Sequence, residues 1–242
     1  MTVLDTIRQH QLRRSPLMVV LVDPDKGAYP SLLSYLSQVD MLFVGGSSGN
    51  EVDTCVAVLR AHTSAPIVLF PGSVEQFSDS ADALLFLTLL NSRISEVLIE
   101  PHVKAAATIL RSGIEVIPMG YILLDGECQS AVQRVSRCQP LSQRDPSAVI
   151  DHALAGQLLG KQLIYLEAGS GAKTPVSIDI IRAVKDAIDL PLIVGGGIVS
   201  HQQMCQAFKA GADVVVIGNH FEQNPQDLPL FIEMRQRYAQ SR

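Results

Sequence analysis

The chain has 242 residues, of which 47% are hydrophobic, 18% charged and 5% aromatic, and it contains no tryptophan. This composition, with a mean hydropathy of +0.23, excludes a chain kept disordered by its charge. A net charge of −5 argues against a nucleic-acid partner, which needs clustered Lys and Arg. The apolar runs are far shorter than the ~18 residues that span a bilayer, so we expect no transmembrane segment.

The start of the chain lacks a cationic stretch followed by an apolar run, so no secretory signal is predicted. The four cysteines form no C-x-x-C pair: Cys55, Cys128, Cys138 and Cys205. This spacing argues against a zinc site and against a disulfide framework. We therefore expect reduced cysteines in a cytoplasmic protein.

Eight short apolar runs alternate with amphipathic segments along the chain. Each run is rich in Val, Ile and Leu and nearly continuous, as is typical of a parallel strand buried on both faces. The runs are Leu17–Asp23, Met41–Gly45, Ile67–Pro71, Ala83–Leu90, Ile114–Leu124, Gln162–Glu167, Leu192–Gly196 and Asp213–Gly218. Eight repeats in one domain, 1–242, predict an α/β (β/α)8 TIM barrel; an open doubly wound sheet is the alternative.

Helix starts are predicted between the runs from two local patterns. Capping boxes, in which a Ser and a Glu or Gln satisfy the first free N–H groups, occur at Ser48–Glu51, Ser73–Gln76 and Ser200–Gln203. A capping residue before proline occurs at Asp145-Pro146, Thr174-Pro175 and Asn224-Pro225. The polar stretch Gly126–Arg144 shows no periodicity, and we expect a loop with a bent or short strand there.

Glycines follow the last three runs, at the end of a barrel where active sites lie. Glycine lets backbone N–H groups approach a phosphate closely. The loops with Gly169-Ser170-Gly171, Gly196-Gly197 and Gly218-Asn219 are therefore predicted to bind phosphate after strands 6, 7 and 8. The alternative is that these glycines only make tight turns.

Carboxylates end two of the runs. Glu167 lies two residues after Tyr165, so both point to the same side of a strand, and Glu167 could act as a general base or be a buried structural carboxylate. Asp23 and Ser47 end neighbouring strands and together suit Mg²⁺, although Asp23-Pro24-Asp25 is equally a turn signal. No lysine falls in a strand run, so a Schiff-base lysine is not evident.

The segments VDPDK (22–26), VGGSSG (44–49), YLEAGSGA (165–172), VGGGI (194–198) and VVIGNHFE (215–222) resemble the geranylgeranylglyceryl phosphate synthase family over nearly the whole chain. The resemblance implies a modified TIM barrel that transfers a geranylgeranyl or similar long prenyl group from its diphosphate to sn-glycerol 1-phosphate, with Mg²⁺ as cofactor. It also implies a homo-oligomer, a dimer or a hexamer, and transient contact with a membrane surface.

When the family's functional residues are carried over by position, the resemblance implies that Asp23 and Ser47 bind Mg²⁺. It also implies that Glu167 removes the proton from the glycerol hydroxyl. It assigns glycerol phosphate to these residues: Tyr165, Leu166, Glu167, Ala168, Gly169, Ser170, Gly171, Gly196, Gly197, Gly218 and Asn219. Some members carry Lys where this chain has Leu21, so a direct lysine contact to phosphate from that position is missing.

Two other functions fit the same motifs. A sugar-phosphate isomerase or synthase would use the glycine loops but needs a partner for Glu167, such as Asp25 or Asp125. A non-catalytic phosphate-binding protein is the third hypothesis.

A prenyl donor needs an apolar groove, for which Phe70, Ala83–Leu90 and a helix over Ile94–Leu110 are candidate walls. Ordinary core packing is the favoured interpretation of these residues.

Overall fold

A computed structural model describes residues 1–46 and 51–241. Eight parallel strands close into a barrel in chain order, with β8 paired to β1. The strands are β1 Leu17–Val22, β2 Met41–Val44, β3 Ile67–Leu69, β4 Ala83–Leu89, β5 Glu115–Leu123, β6 Leu163–Glu167, β7 Leu192–Gly195 and β8 Val214–Ile217. All eight predicted runs form strands, and the TIM-barrel prediction is confirmed.

Ten α-helices occur in the described residues. They are α1 Val3–Leu12, α2 Val52–Arg60, α3 Ser95–Leu98, α4 Glu100–Ser112, α5 Ala131–Ser136, α6 Pro146–Leu158, α7 Ile178–Ala187, α8 His201–Ala210, α9 Asn219–Gln223 and α10 Leu228–Gln240. Short 3₁₀ segments add Pro24–Lys26, Tyr29–Gln38 and Pro225–Asp227. Within these described ranges, no helix combines the length and the apolar character that crossing a bilayer requires.

Two packed layers hold the barrel together. Alternate strand residues such as Val19, Phe43 and Met119 fill the interior, while their neighbours pack outward against the helices. Helix α1 closes the amino-terminal end of the barrel with Val3 and Ile7. Because parallel strands buried on both faces need apolar residues at every position, the continuous apolar runs are explained.

The structure confirms some of the predicted helix starts and contradicts others. Ser200 and Asp145 cap α8 and α6 as expected, and Pro225 opens a 3₁₀ turn that leads into α10. The Thr174-Pro175 prediction is wrong, because the helix begins at Ile178 with Ser177 as its cap. The capping box at Ser48–Glu51 falls largely on residues outside the described part of the chain.

The link between β3 and β4 is the main departure from a regular barrel. The predicted helix start at Ser73–Gln76 is wrong, since residues 70–82 form turns and no helix. Strand β3 has three residues and pairs with β4 only through Val68↔Ala83 and Leu69↔Leu84. The part of β4 from Leu85 to Leu89 is therefore paired on its β5 side and open on the other.

The stretch 126–144 contains more structure than expected. Its predicted short strand is reduced to a single bridge between Leu124 and Leu141. Between them lies the short helix α5, which Ser130 caps and which ends at Arg137 in a left-handed conformation, φ +53°. This segment lies beside the carboxyl ends of the strands and contributes to the site described next.

Candidate active site

Glu167 is a buried carboxyl at the mouth of the barrel. It ends β6 and is 8% exposed. Its Oε1 accepts a hydrogen bond from the Gly169 N–H at 2.6 Å, and the Tyr165 hydroxyl donates to the same carboxyl. Burial raises the pKa of Glu167 to about 7, although both hydrogen bonds favour the ionised form. The group can therefore take up or release a proton near neutral pH.

The glycines after β7 make room for this pair of side chains. A Cβ on Gly195 would lie 2.1 Å from the Tyr165 hydroxyl oxygen. Gly196 and Gly197 adopt positive φ angles of +84° and +72°, which residues with a side chain rarely adopt. The tight-turn interpretation is thus correct in part, and the missing side chains also leave space for Tyr165.

The three glycine loops meet on one side of the mouth. The Asn219 side chain donates to the Ser170 hydroxyl at 3.0 Å, which joins the loops after β6 and β8. Gly218 packs against Leu21, with 3.3 Å between the position of a Cβ and the Leu21 Cβ. Gly169, Ser170, Gly171, Gly196, Gly197, Gly218 and Asn219 all line one cavity. Leu166 and Ala168 instead lie in the outer core.

Asp23 faces the same cavity from the end of β1. Its side chain is 14% exposed, and its Oδ1 accepts the Asp25 N–H at 3.1 Å. Burial raises the pKa of Asp23, and the nearby Lys26 opposes that shift. A Cβ on Gly46 would lie 2.3 Å from Asp23 Oδ1, so glycine is needed there. Ser47, its predicted partner, lies outside the described residues.

The described residues contain no group of three or more His, Cys, Asp and Glu side chains arranged to hold a metal ion. A divalent cation at Asp23 would therefore rely on few protein oxygens and on oxygens of a substrate. Mg²⁺ is commonly bound in this way, through one or two carboxylates and substrate phosphates.

The cavity has a volume of about 790 Å³ and extends well beyond the polar mouth. Its walls include Phe86 on the outer face of β4, Leu87 on the inner face, and Ala105 on α4. It reaches both faces of β4 because β3 ends early and leaves that edge open. The favoured interpretation of these residues as core holds, since they belong to the core clusters, and some of them also line this space.

An aromatic stack lies beside Glu167, whose carboxyl accepts the Tyr165 hydroxyl. The Tyr165 ring stacks on Phe70 at 5.4 Å and on Tyr121 at 5.3 Å between centroids. All three residues line the cavity. Sequence reasoning included Phe70 only as a candidate wall and did not single out Tyr121.

Two polar side chains that sequence reasoning missed organise the mouth. Gln76 Oε1 accepts the Gly72 N–H at 2.6 Å and lies 3.5 Å from the Gly46 nitrogen, which ties the loops after β2 and β3 together. His102 on α4 lies 2.6 Å through Nε2 from the Leu87 carbonyl oxygen, on the open part of β4. The contacts of Gln76 to Gly46 and of His102 to Leu87 span 30 and 15 residues, so no local pattern indicates them. The Gln76–Gly72 hydrogen bond is local, but the segment Ser73–Gln76 is equally typical of a helix start.

Comparisons with known proteins agree with this geometry. The profile of the PcrB family matches residues 9–234. The chain belongs to the PcrB family. Its similarity to a geranylgeranylglyceryl phosphate synthase of Zunongwangia profunda is 46% identity over 226 residues, covering 91% of this chain and 97% of that protein. A protein of the same name from Pyrococcus horikoshii is 41% identical over 222 residues, covering 88% and 86%.

A solved structure related to this PcrB-family chain agrees over its whole length. It is the (S)-3-O-geranylgeranylglyceryl phosphate synthase of Thermoplasma acidophilum in complex with substrate sn-glycerol-1-phosphate. The TM-score is 0.89 at 30% identity, covering 99% of each chain. The predicted resemblance and the prediction of an enzyme are confirmed.

Proposed function

We propose that the chain transfers a geranylgeranyl or similar long prenyl group from its diphosphate to the C3 hydroxyl of sn-glycerol 1-phosphate. The observation that carries this proposal is the position of Glu167. Its buried carboxyl, with a pKa raised to about 7, lies where the glycine loops meet a long apolar cavity. Phosphate loops, a base and a lipid-sized groove are the three parts that this transfer needs.

Glu167 acts as the general base in this reaction. The C3 oxygen of glycerol phosphate forms a bond to C1 of the prenyl group, while the bond from C1 to the diphosphate oxygen breaks. The hydroxyl proton passes to Glu167, and diphosphate leaves with the electron pair of the broken bond. Holding the hydroxyl beside both the base and C1 supplies much of the acceleration. The rings of Phe70, Tyr121 and Tyr165 offer π faces to positive charge that develops on the prenyl group.

Asp23, with Ser47 as the hydroxyl ligand, is proposed to hold Mg²⁺. The donor chemistry fits, since one partly buried carboxylate at the mouth matches the ligand set that Mg²⁺ uses alongside phosphates. When bound, the ion neutralises the diphosphate and makes it a better leaving group. We also propose a homo-oligomer, a dimer or a hexamer, working in the cytoplasm, with transient contact with the membrane that supplies the donor.

The sugar-phosphate isomerase alternative loses support from the geometry. It needs a second acid or base facing Glu167, and Asp25 and Asp125 do not line the cavity. The carboxylates that do line the described cavity are Asp23, Glu96, Glu167 and Glu222. The apolar part of the cavity is also larger than a sugar phosphate requires.

The test is transfer itself. Purified protein is mixed with labelled sn-glycerol 1-phosphate, Mg²⁺ and prenyl diphosphates of increasing length, and label is measured in the organic phase. We expect transfer that EDTA abolishes and that Glu167→Gln reduces strongly, while glycerol phosphate affinity stays within a few-fold. No transfer at any prenyl length, with phosphate binding intact, would overturn the proposal in favour of the sugar-phosphate alternative.

A further inference from the structure

Lys26 crosses the mouth of the barrel to the phosphate loops. It lies in the 3₁₀ turn Pro24–Lys26, which Asp23 caps and which Gly27 ends at φ +62°. Its Nζ donates to Asn219 Oδ1 at 2.7 Å and to Glu222 Oε2 at 2.9 Å. Asp23 Oδ2 is 3.6 Å away. The side chain is 41% exposed and lines the cavity, so a ligand bound there can reach its ammonium group.

The surroundings of Lys26 are rich in acceptors and poor in other cations. Of the Lys and Arg side chains that line the described cavity, Lys104 belongs to α4 and Arg134 to α5. Neither has a hydrogen bond to a glycine loop in the described structure, whereas Lys26 contacts Asn219 directly. Leu21, which packs on Gly218, brings no charge to this place. Among the lysines and arginines that line the described cavity, Lys26 alone is hydrogen-bonded to a residue of the glycine loops.

We infer that Lys26 is the cationic ligand of the acceptor's phosphate group, and that Glu222 holds it in position until the phosphate arrives. The phosphate replaces Glu222 as the partner of Nζ, since charge-assisted hydrogen bonds to phosphate are short and strong. The Asn219–Ser170 hydrogen bond places the two loops on either side of the same anion. This inference rests on the proposed acceptor, and it concerns binding without the prenyl donor or a metal.

The test measures binding of sn-glycerol 1-phosphate and of inorganic phosphate to the whole protein by calorimetry, without donor or Mg²⁺. Lys26→Gln should weaken both ligands by about ten-fold or more, the range expected for one charged hydrogen bond. Lys26→Arg should stay within a few-fold of the native protein. The control Lys209→Gln, in the last turn of α8 and exposed, should change nothing.

Glu222→Gln gives a result in the opposite direction, because it removes the anion with which phosphate competes. We expect tighter binding of both ligands. Native affinity for both in Lys26→Gln would overturn the inference, as would no binding of either by the native protein. Binding of inorganic pyrophosphate, measured in the same way, reports on the donor's diphosphate. If Lys26→Gln weakens pyrophosphate binding and leaves phosphate binding unchanged, the inference is overturned and Lys26 is assigned to the donor. Weaker phosphate binding in Lys26→Gln, with no prenyl transfer by the native protein, would reject the proposed function alone.

Discussion

The carboxyl of Glu167 occupies the space in which Gly196 would otherwise carry a side chain. A Cβ on Gly196 would lie 2.3 Å from Glu167 Oε1 and 2.7 Å from the Gly169 nitrogen, which itself donates to that oxygen. The loop after β7 thus determines where the carboxyl at the end of β6 can lie. Glycine at position 196 is required for the observed position of that carboxyl.

Gly196→Ala should therefore remove activity by displacing Glu167. We expect a fall in kcat of about a hundred-fold, the scale associated with a displacement of ~1 Å near reacting groups. Gly160→Ala is the matched control, since Gly160 has a similar φ of +79° but open space around its Cβ position. It should cost only about 1 kcal/mol of stability through backbone strain and keep its activity. Equal activity in the two variants would contradict this account.

The pH dependence of the rate should report the raised pKa of Glu167. A base must be ionised to accept a proton, and half of the carboxyl is ionised at pH of about 7 in the free enzyme. We expect kcat/KM for the acceptor to rise about ten-fold per pH unit below that value and to level off above it. Measured from pH 5 to 9, a rate that stays flat down to pH 5 would remove Glu167 from this role.

The same carboxyl should make folding stability fall as pH rises. Its pKa is about 7 when folded, against an ordinary value of 4.5, so the folded state prefers the protonated form. Stability is fully present below the lower value and is lost as pH rises through the upper one.

Glu167→Gln, which stays neutral, should therefore gain stability relative to the native chain. The gain in free energy of unfolding should grow by about 2 to 3 kcal/mol between pH 5 and pH 8. Denaturant unfolding at both pH values measures it. Glu233→Gln, in the exposed pair with Arg237, serves as the control and should show a small difference that changes little with pH. A pH-independent gain in Glu167→Gln would argue against a buried ionised carboxylate.

The position of the prenyl chain can be tested on α4. Ala105 lines the cavity, whereas Ala107 on the same helix is exposed. Ala105→Trp should fill the groove and reduce kcat/KM for geranylgeranyl diphosphate at least ten-fold relative to a shorter donor, because an overfilled pocket rejects added methylenes. Ala107→Trp should leave this preference unchanged. If both variants keep the native preference for donor length, the prenyl tail does not lie beside Ala105.

The strands and the glycine loops could be predicted because their signals are local. A continuous apolar run indicates a strand buried on both faces, and a glycine at its end indicates a position that needs a positive φ. Both signals can be read without knowing how distant parts of the chain fold. That Tyr165 and Glu167 lie on the same side of β6 is predicted by the two-residue period of a strand alone. Both side chains do face the mouth of the barrel.

The groove could not be predicted because it depends on the shortness of β3, which ends before the second half of β4 and leaves that half without a strand partner on one side. The segment Ser73–Gln76 reads locally as a helix start, yet the Gln76 side chain bonds the Gly72 N–H in a turn. Likewise, no motif indicates that His102 bonds the Leu87 carbonyl. The His102–Leu87 contact and the approach of Gln76 to the Gly46 nitrogen join residues that only the folded barrel brings together. In the sequence, the apolar residues around them therefore look like ordinary core.

The short β3 also determines which element closes the barrel wall beside β4. With Leu85–Leu89 lacking a neighbouring strand on one side, the Leu87 carbonyl lies within hydrogen-bond distance of the His102 side chain instead. The barrel wall at this point is thus closed by a side chain of α4 and not by a strand. A change at His102 would therefore reshape the apolar part of the cavity while leaving the residues of the mouth in place.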